Sequence, residues 1–597
     1  MLDVSDLCGA EGGSAVVLET NDKFVLALRR ETALATKVLT HAEALNGPKA
    51  KEHREAIDKE MGGLLDGHGV FTYMPISQKP KGATLLGLKL ILAEKTGAGN
   101  EFLKAKARLV ALGNQQVAGR DYDPFAKSSP MLRYSSLRLL CALGALTGRP
   151  LSSSDAVQAY LNATLPQPVY GRFPKLLRTY TIDGEELIAF ITKALYGLAV
   201  SGREWNREIN THLTKPRSEG GMGFVRCYAD PCMYVWREGK EWCFLGLATD
   251  NSFDVSSSDE VRADVIRRLK EKYEWVDEGD VNQVPTALGA KIKQDLEAGT
   301  VTITQEGYID AMVETFGADL SSHLVQTPAS KDLEQHVRDA TAAKGGAVDA
   351  ALQTYYQKLV GSLIFASIVS RPDIAFAVGM LSRAMTFPTE ALKKDALRVL
   401  NYLRNTKSMG ITFSKSTFFS ARSGTQMLRR GDGRALSAVF SLDEASSDAN
   451  FAAGPSISGW QIGVAGGFVA GGSKRQSGTM LCSASSELYA GSVAATEVVH
   501  ERHLMEEMGF PQEAPTLLSI DNKATVALAH DPQAFQKTKH IERRHHYLRE
   551  CVEGGDIRVR HIDTEHNPAD IFTKALEPRK FKLFRAAIMN LPIESLA

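Results

Sequence analysis

The sequence predicts a mixed helix-and-strand protein built around two or more packed cores, and three observations predict it. The chain has 597 residues, 44% hydrophobic and 23% charged, which is ample for several cores and unlike a disordered composition. Apolar residues recur at helical spacing in some segments and in short strand-like runs in others. Two stretches rich in Gly, Ser and Ala or in charge, Lys331 to Ala351 and Ser414 to Arg434, interrupt these patterns and are expected as linkers.

In chain order, residues 1 to 50 carry no usable pattern and form a segment of unknown role. From His53 to Leu65, the residues Ala56, Ile57, Met61, Leu64 and Leu65 share one helical face, and Leu85 to Ala93 reads as a strand. Asp155 ends a short extended piece ahead of a helix-like run, where a lone Asp is more often an N-cap than a metal ligand. From Glu241, two β-rich runs meet at Asp250-Asn251, residue types that tolerate the positive φ of a tight turn, so Asp250 is expected at a hairpin tip. Ser485 to Met508 reads as a long helix and Leu517 to Ile520 as a buried strand. Asn567 reads as an N-cap, Pro568 as a first helical residue and Asp570 as part of a first turn.

Composition narrows the function classes. Lys plus Arg and Asp plus Glu number 70 each, so net charge does not announce a polyanion partner, and any nucleic-acid surface must come from local clustering. The seven cysteines (Cys8, Cys141, Cys227, Cys232, Cys243, Cys482, Cys551) contain no C-x-x-C pair and no Cys/His set at zinc spacing, which disfavours disulfide frameworks and zinc knuckles. The N-terminus lacks the regions of a signal peptide, and the apolar run Leu137 to Leu146 is too short to span a bilayer. A protein without a membrane partner, in a reducing compartment, is expected.

Two groups of carboxylates stand out. Asp155 and Asp250 lie far apart in sequence but at ends of extended segments, as a two-ion clamp on neighbouring strands would require. Asp448, Glu487, Asp521 and Asp570 each fall, in this reading, at a strand's end or in a helix's first turn, from which four side chains can point at one spot. Each alone could be a cap or a turn residue.

The order of motifs resembles copia-type retrotransposon polyproteins in their reverse transcriptase and ribonuclease H region. Lys106 to Gly113, Gly119 to Asp123, Asp155 with Ala159 to Asn162, Lys193 to Leu198 with Arg203 and Trp205, and Asp230 to Tyr234 follow the family's polymerase motifs. Leu288-Gly289, Gln305 with Tyr308, Leu359 to Leu363, Arg371 to Ala377 and Arg398 to Leu403 continue the resemblance. Beyond them come Asp448 in its Ser447 to Phe451 setting, Ser458-Gly459, Ser473 to Gln476, Glu487, Asp521, the basic run Lys537 to Arg549, and Asn567 to Lys574. Asp443 is a rival for the first acid of this second group, with the poorer match.

The resemblance implies an α+β chain. Residues 51–330 would be the fingers and palm of a right-hand polymerase, residues 331–440 a thumb or connection region, and residues 441–597 a ribonuclease H-like mixed domain. It implies RNA-directed DNA polymerase and ribonuclease H activities using Mg²⁺ or Mn²⁺. Asp155 and Asp250 would serve the first activity, and Asp448, Glu487, Asp521 and Asp570 the second. Lys106 and Arg108 would meet the incoming triphosphate, since cationic donors suit phosphate oxygens, and His561 would shuttle protons or help release product. The partners implied are an RNA template, a DNA primer, an RNA/DNA hybrid and deoxynucleoside triphosphates. The place implied is the cytoplasm, in a virus-like particle of the element, or the nucleus. The capsid, protease and integrase parts of such a polyprotein are not expected on this chain.

One departure is central. Where the family has Tyr-Val-Asp-Asp, this sequence has Ala248-Thr249-Asp250-Asn251, so one carboxylate and one aromatic ring are missing. An Asn carbonyl gives a divalent ion one unit less of compensating charge. Asp254, well down the returning strand, is not expected to substitute. The sequence thus predicts weakened or absent polymerisation beside a complete set of ribonuclease acids. A non-catalytic relic or domesticated nucleic-acid-binding fragment is the alternative, favoured by the lost carboxylate and the irregular stretch near Ser414 to Arg434.

Overall fold

The computed structural model describes residues 36–96, 102–416, 440–451, 456–477, 480, 482–530 and 544–592. Most of the Ser414 to Arg434 stretch, and residues 537–543 of the basic run, lie outside the described residues.

A seven-stranded sheet opens the chain, with Thr36–Leu39, Leu85–Thr96 and Phe102–Ala111 on one side and Phe71–Pro75, Thr164–Arg172, Thr179–Tyr180 and Glu186–Lys193 on the other. Helix Ala50–Gly62 lies on it and runs into a π-helical turn, Gly63–Gly67, burying Ile57 and Leu64. This is the amphipathic helix expected at His53 to Leu65.

The second sheet is antiparallel throughout, in the order Trp275–Asp280, Leu151–Ala156, Asn251–Ser256, Glu241–Ala248, Met233–Glu238, Val225–Arg226. Helix Tyr134–Thr147 backs one face, and the apolar run Leu137 to Leu146 is its buried core rather than a span. Among the described residues no helix is long and apolar enough to cross a membrane.

A connecting region follows, with a three-stranded sheet (Lys291–Asp295, Thr300–Thr304, Ile411–Ser414) and helices Glu306–Phe316, Leu333–Ala342, Ala350–Val369, Ala375–Ser382 and Glu390–Asn405. The linker expected at Lys331 to Ala351 is largely helix instead. Leu333, Val337 and Ala340 fall at helical spacing and are buried, so that face packs while the Ala- and Gly-rich residues 343–349 connect. The Arg371-Pro372-Asp373 motif is structural: the guanidinium of Arg371 grips the Asp373 carboxylate with two hydrogen bonds, 2.9 and 2.7 Å, and both side chains are fully buried.

The last sheet is mixed, in the order Gly467–Arg475, Ile457–Val464, Ala445–Asn450, Thr516–Ile520, Ile557–His561, antiparallel across the first three and parallel thereafter. Helices Ser483–Glu507, Lys523–His530, Arg544–Glu553 and Pro578–Met589 complete it. The whole is α+β: the first two sheets occupy the segment expected as fingers and palm, a largely helical region follows, and the last mixed sheet occupies the segment expected to be ribonuclease H-like.

Its cores are shared across these units. One apolar core runs from helix Tyr134–Thr147 through the connecting helices into the last sheet, and a second joins the fingers to the palm's other face. Polar clamps cross the first core: Arg138 donates to the carbonyls of Ile368, Val369 and Val469, and Arg237 donates to Met508 O at 2.6 Å.

Candidate active sites

In the palm, Asp155 sits on the strand Leu151–Ala156 directly across from Asn251, the first residue of the returning hairpin strand. The hairpin turns through Thr249 and Asp250 between the paired residues Ala248 and Asn251. Asp250 is therefore at the tip, as expected, but the positive φ falls on Thr249 (φ 61), not on Asp250 or Asn251. A β-branched residue is strained there, and two hydrogen bonds hold the turn. The buried indole of Trp205 donates to Thr249 O at 2.6 Å, and Ala156 N donates to Asp250 O at 2.8 Å.

Asn251 does not imitate a carboxylate in this arrangement. Its Nδ2 donates to Asp155 Oδ2 at 3.1 Å, so an N–H points at the acid where a ligand oxygen would be needed. Burial pushes the Asp155 carboxyl up to about 6, Asp250 and Glu278 push the same way, and Lys106 and the Asn251 hydrogen bond oppose them. Asp250 is also raised by burial, with Arg108 opposing. Lys106 and Arg108, on the fingers strand Phe102–Ala111, thus both act electrostatically on the palm acids. Tyr160 and Tyr196 pack with their rings tilted, centroids 5.4 Å apart, beside Asp250, and Arg108 lies 5.1 Å from the Tyr196 ring. Asp254 is buried against Arg262 and hydrogen-bonded by Ser256, away from this group, as the sequence suggested. Among the described residues the palm acids do not bring three ligand oxygens together as the C-terminal acids do, and an amide donor faces Asp155.

Glu278 is the palm acid that sequence reasoning missed. It is the extra residue of a β-bulge between Asp277 and Gly279, and the bulge turns it onto the Asp155 side, where Ser153 Oγ donates to it at 2.7 Å. Nothing in the local alternation of Trp275 to Asp280 signals a bulge.

The C-terminal acids come together. One oxygen each of Asp448, Glu487 and Asp521 lies within 4.8 Å of the others. Asp448 is inside the strand Ala445–Asn450 rather than at its end, because pairing with Ile457–Val464 continues to Asn450. Glu487 lies in the second turn of helix Ser483–Glu507, Asp521 directly follows the strand Thr516–Ile520, and Asp570 lies in the 3-10 turn Pro568–Phe572. Burial raises the Asp448 and Glu487 carboxyls well above the ordinary range, and neighbouring acids add to it. Burial raises the Asp521 carboxyl too, and Thr564 Oγ1, donating to it at 3.0 Å, opposes this. One oxygen of Glu487, Oε2, is buried without a hydrogen-bond partner. Such an orphan oxygen among raised carboxyls is the donor set of a hard divalent cation, so here the residues fit Mg²⁺ or Mn²⁺.

Asp570 joins the group through two lysines. Lys574 Nζ lies 2.9 Å from Asp570 Oδ1 and 3.4 Å from Asp448 Oδ2, and Lys580 Nζ lies 3.0 Å from Asp570 Oδ2. Thr573 Oγ1 donates to Asp448 as well. His561, at the end of its strand, has Nε2 3.2 Å from the Asp521 carbonyl and acts electrostatically on that carboxylate. The rival acid Asp443 accepts from Gly466 N at 2.8 Å, closing the turn between two strands.

Residues 71–330 match the family model described as reverse transcriptase (RNA-dependent DNA polymerase). The chain is 26% identical over 550 residues to the retrovirus-related Pol polyprotein from transposon TNT 1-94 of Nicotiana tabacum, covering 92% of this chain and 38% of that protein. It is 25% identical to the Pol polyprotein from transposon RE1 of Arabidopsis thaliana, covering 96% and 36%. The chain carries a copia-type reverse transcriptase region. It spans little more than a third of the length of these two relatives. A foamy viral protease-reverse transcriptase solved in complex with double-stranded DNA aligns at 12% identity and a TM-score of 0.37, over 86% of this chain and 70% of that one.

Several motifs of the reverse transcriptase region have a mechanical explanation. Gly197, in Lys193 to Leu198, has φ 92, and a Cβ on it would sit 2.1 Å from Ala111 O; a Cβ on Gly113 would sit 2.0 Å from Gly197 O. Only glycine permits this contact, which lets Ala111 N donate to Tyr196 O at 2.7 Å and bolts the Lys106/Arg108 strand to the palm. Asp230 is a structural acid that accepts from Ser136 Oγ, Arg133 N and Cys232 N. In the C-terminal domain, Gln476 joins Ser458 to the start of the Glu487 helix by donating to Ser458 Oγ (3.0 Å) and Ser486 O (2.9 Å). Asn567 donates to Ser447 O at 2.9 Å and caps Ala569 N, fixing the Asp570 turn to the Asp448 strand.

Proposed function

We propose that the chain is the polymerase and ribonuclease H portion of a copia-type retrotransposon polyprotein, dividing near residues 51–330, 331–440 and 441–597. In this reading the C-terminal domain cleaves the RNA strand of an RNA/DNA hybrid, and the palm is impaired as a polymerase. The observation that carries it is the contrast between the two acidic groups: three C-terminal carboxylates converge within 4.8 Å, whereas in the palm Asn251 turns an N–H on Asp155.

Asp448, Glu487, Asp521 and Asp570 would hold Mg²⁺ or Mn²⁺. A cation bound there supplies Lewis-acid charge and an activated water for phosphodiester hydrolysis. The protein's own part is orientation: Thr573 fixes Asp448, Thr564 fixes Asp521, and Asn567 and Gln476 fix the elements bearing Asp570 and Glu487. His561, next to Asp521, is placed to carry a proton at the site's edge. Lys106 and Arg108 would meet the triphosphate of an incoming deoxynucleotide opposite an RNA template and DNA primer.

The test is cleavage of the RNA strand in an RNA/DNA hybrid by the full chain with Mg²⁺ or Mn²⁺. Asp448→Asn is expected to lower the rate at least about a hundredfold, the upper end of what losing a residue that merely orients a metal ligand costs. A rate unaffected by that change would remove the reading.

A further inference from the structure

We infer that Lys574 is a built-in cation of the C-terminal acidic group, competing with the divalent ion for Asp448 and Asp570 and so setting its affinity. The inference rests on the metal reading of that group. The side chain comes from the residue four beyond Asp570, one turn along, so the short segment that delivers the fourth acid also delivers an ammonium. Lys574 Nζ bridges Asp570 Oδ1 at 2.9 Å and Asp448 Oδ2 at 3.4 Å, and both carboxylates are almost completely buried.

The group is asymmetric as a result. At one end Glu487 keeps a buried oxygen without a partner, within reach of Asp448 and Asp521. At the other end the Asp570 oxygens, which like Glu487 Oε2 make no hydrogen bond of good geometry, are held in ion-pair contact by Lys574 and Lys580. An ion entering the Glu487 end meets a positive charge already bound to one of its own ligands, Asp448. An ion entering the Asp570 end must displace an ammonium from both carboxylates. A lysine at such a site is unlike an arginine: its compact charge sits on a flexible stem and can withdraw, so the occupancy is reversible.

A merely structural lysine gives the opposite sign on removal. Losing a structural anchor loosens the acids and weakens ion binding, whereas losing a competitor strengthens it. Mn²⁺ titration of the full chain, followed by the electron paramagnetic resonance of free Mn²⁺, separates the two, with the binding lost in Glu487→Gln assigned to this group. Lys574→Met is expected to tighten that binding on the order of tenfold, and Lys580→Met, which touches Asp570 alone of the four acids, to tighten it less. Lys574→Arg, which keeps the charge, is expected to leave affinity at or below the parent's and serves if the Met variant does not fold. Unchanged or weaker binding in a folded Lys574→Met, or tighter binding in Lys574→Arg, overturns the inference. A parent protein with no Mn²⁺ binding sensitive to Glu487→Gln overturns instead the metal reading beneath it.

Discussion

Restoring the family's carboxylate by Asn251→Asp is expected to destabilise the palm in the absence of metal and to make it respond to metal. In the parent, Asn251 Nδ2 donates to Asp155 Oδ2 at 3.1 Å. The substitution replaces that donor with a second acid at the same distance. Two full charges 3.1 Å apart repel by about 5 kcal/mol at an effective dielectric constant of about 20. Taking up a proton is cheaper. Asp155 already titrates near 6, so protonating it at pH 8 costs about 3 kcal/mol, and about half of that once its partial solvent contact is allowed for. Adding the lost hydrogen bond, about 1 kcal/mol, the variant should be less stable at pH 8 by about 2–3 kcal/mol. The sign with pH follows from a raised acid: the folded state holds the proton more tightly, so stability falls as pH rises from about 4 through about 6. Urea unfolding followed by tryptophan fluorescence is the assay, since four of the five tryptophans (Trp205, Trp236, Trp242, Trp275) lie in the palm region. In EDTA the deficit should be large at pH 8 and small at pH 5, and Mn²⁺ should restore the variant while leaving the parent palm nearly unchanged. Equal stability of the two proteins in EDTA at pH 8, or equal stabilisation of both palms by Mn²⁺, would refute the reasoning.

Three further outcomes follow from the packing. Gly459→Ala would set a Cβ 2.7 Å from Thr573 Cγ2 and 2.8 Å from Phe572 Cβ, costing about 1–3 kcal/mol by overpacking and moving the Asp570 turn off the sheet; an unchanged urea midpoint with unchanged hybrid cleavage would contradict this. Asp373→Asn leaves a fully buried Arg371 unpaired and should cost about 3–5 kcal/mol. Because Arg371 holds the Asp373 carboxyl below its ordinary value despite burial, its contribution is present above about pH 4 and is lost as pH falls through the folded value. The parent's stability below pH 4 should therefore approach the variant's, and a pH-independent difference would count against the pair. Thr249→Gly relieves a left-handed conformation worth about 1–2 kcal/mol, offset by about 0.5–1 kcal/mol of added chain entropy; it should raise palm stability slightly without restoring primer extension, and a loss of stability would contradict the strained turn.

The parts of the fold that repeat locally were legible in the sequence. The helix expected at Ser485 to Met508 forms as Ser483–Glu507, the strand at Leu517 to Ile520 as Thr516–Ile520, and Asn567 caps the turn of Asp570. Each depends on periodicity or on a side chain bonding its own neighbourhood. Features set by long-range contact were not legible. Thr249 takes the positive φ because Trp205 and Ala156 hold the carbonyls around it, although Asp and Asn are the residue types that favour it. The helix Leu333–Ala342 was hidden because its apolar face is short and lies beside an Ala/Gly-rich tail. Glu278 reaches the palm acids only through a bulge, and Lys574 reaches Asp448 only because the Asp570 turn packs on Gly459.

The most direct test of the split between the two sites assays primer extension and hybrid cleavage side by side on one preparation of the full chain with Mg²⁺, using Asn251→Asp and Asp448→Asn as opposite controls. The parent is expected to cleave RNA, an activity that Asp448→Asn removes, and to extend a primer weakly or not at all until Asn251→Asp is introduced. Extension by the parent as fast as by Asn251→Asp, or a parent that cleaves no RNA, would contradict it.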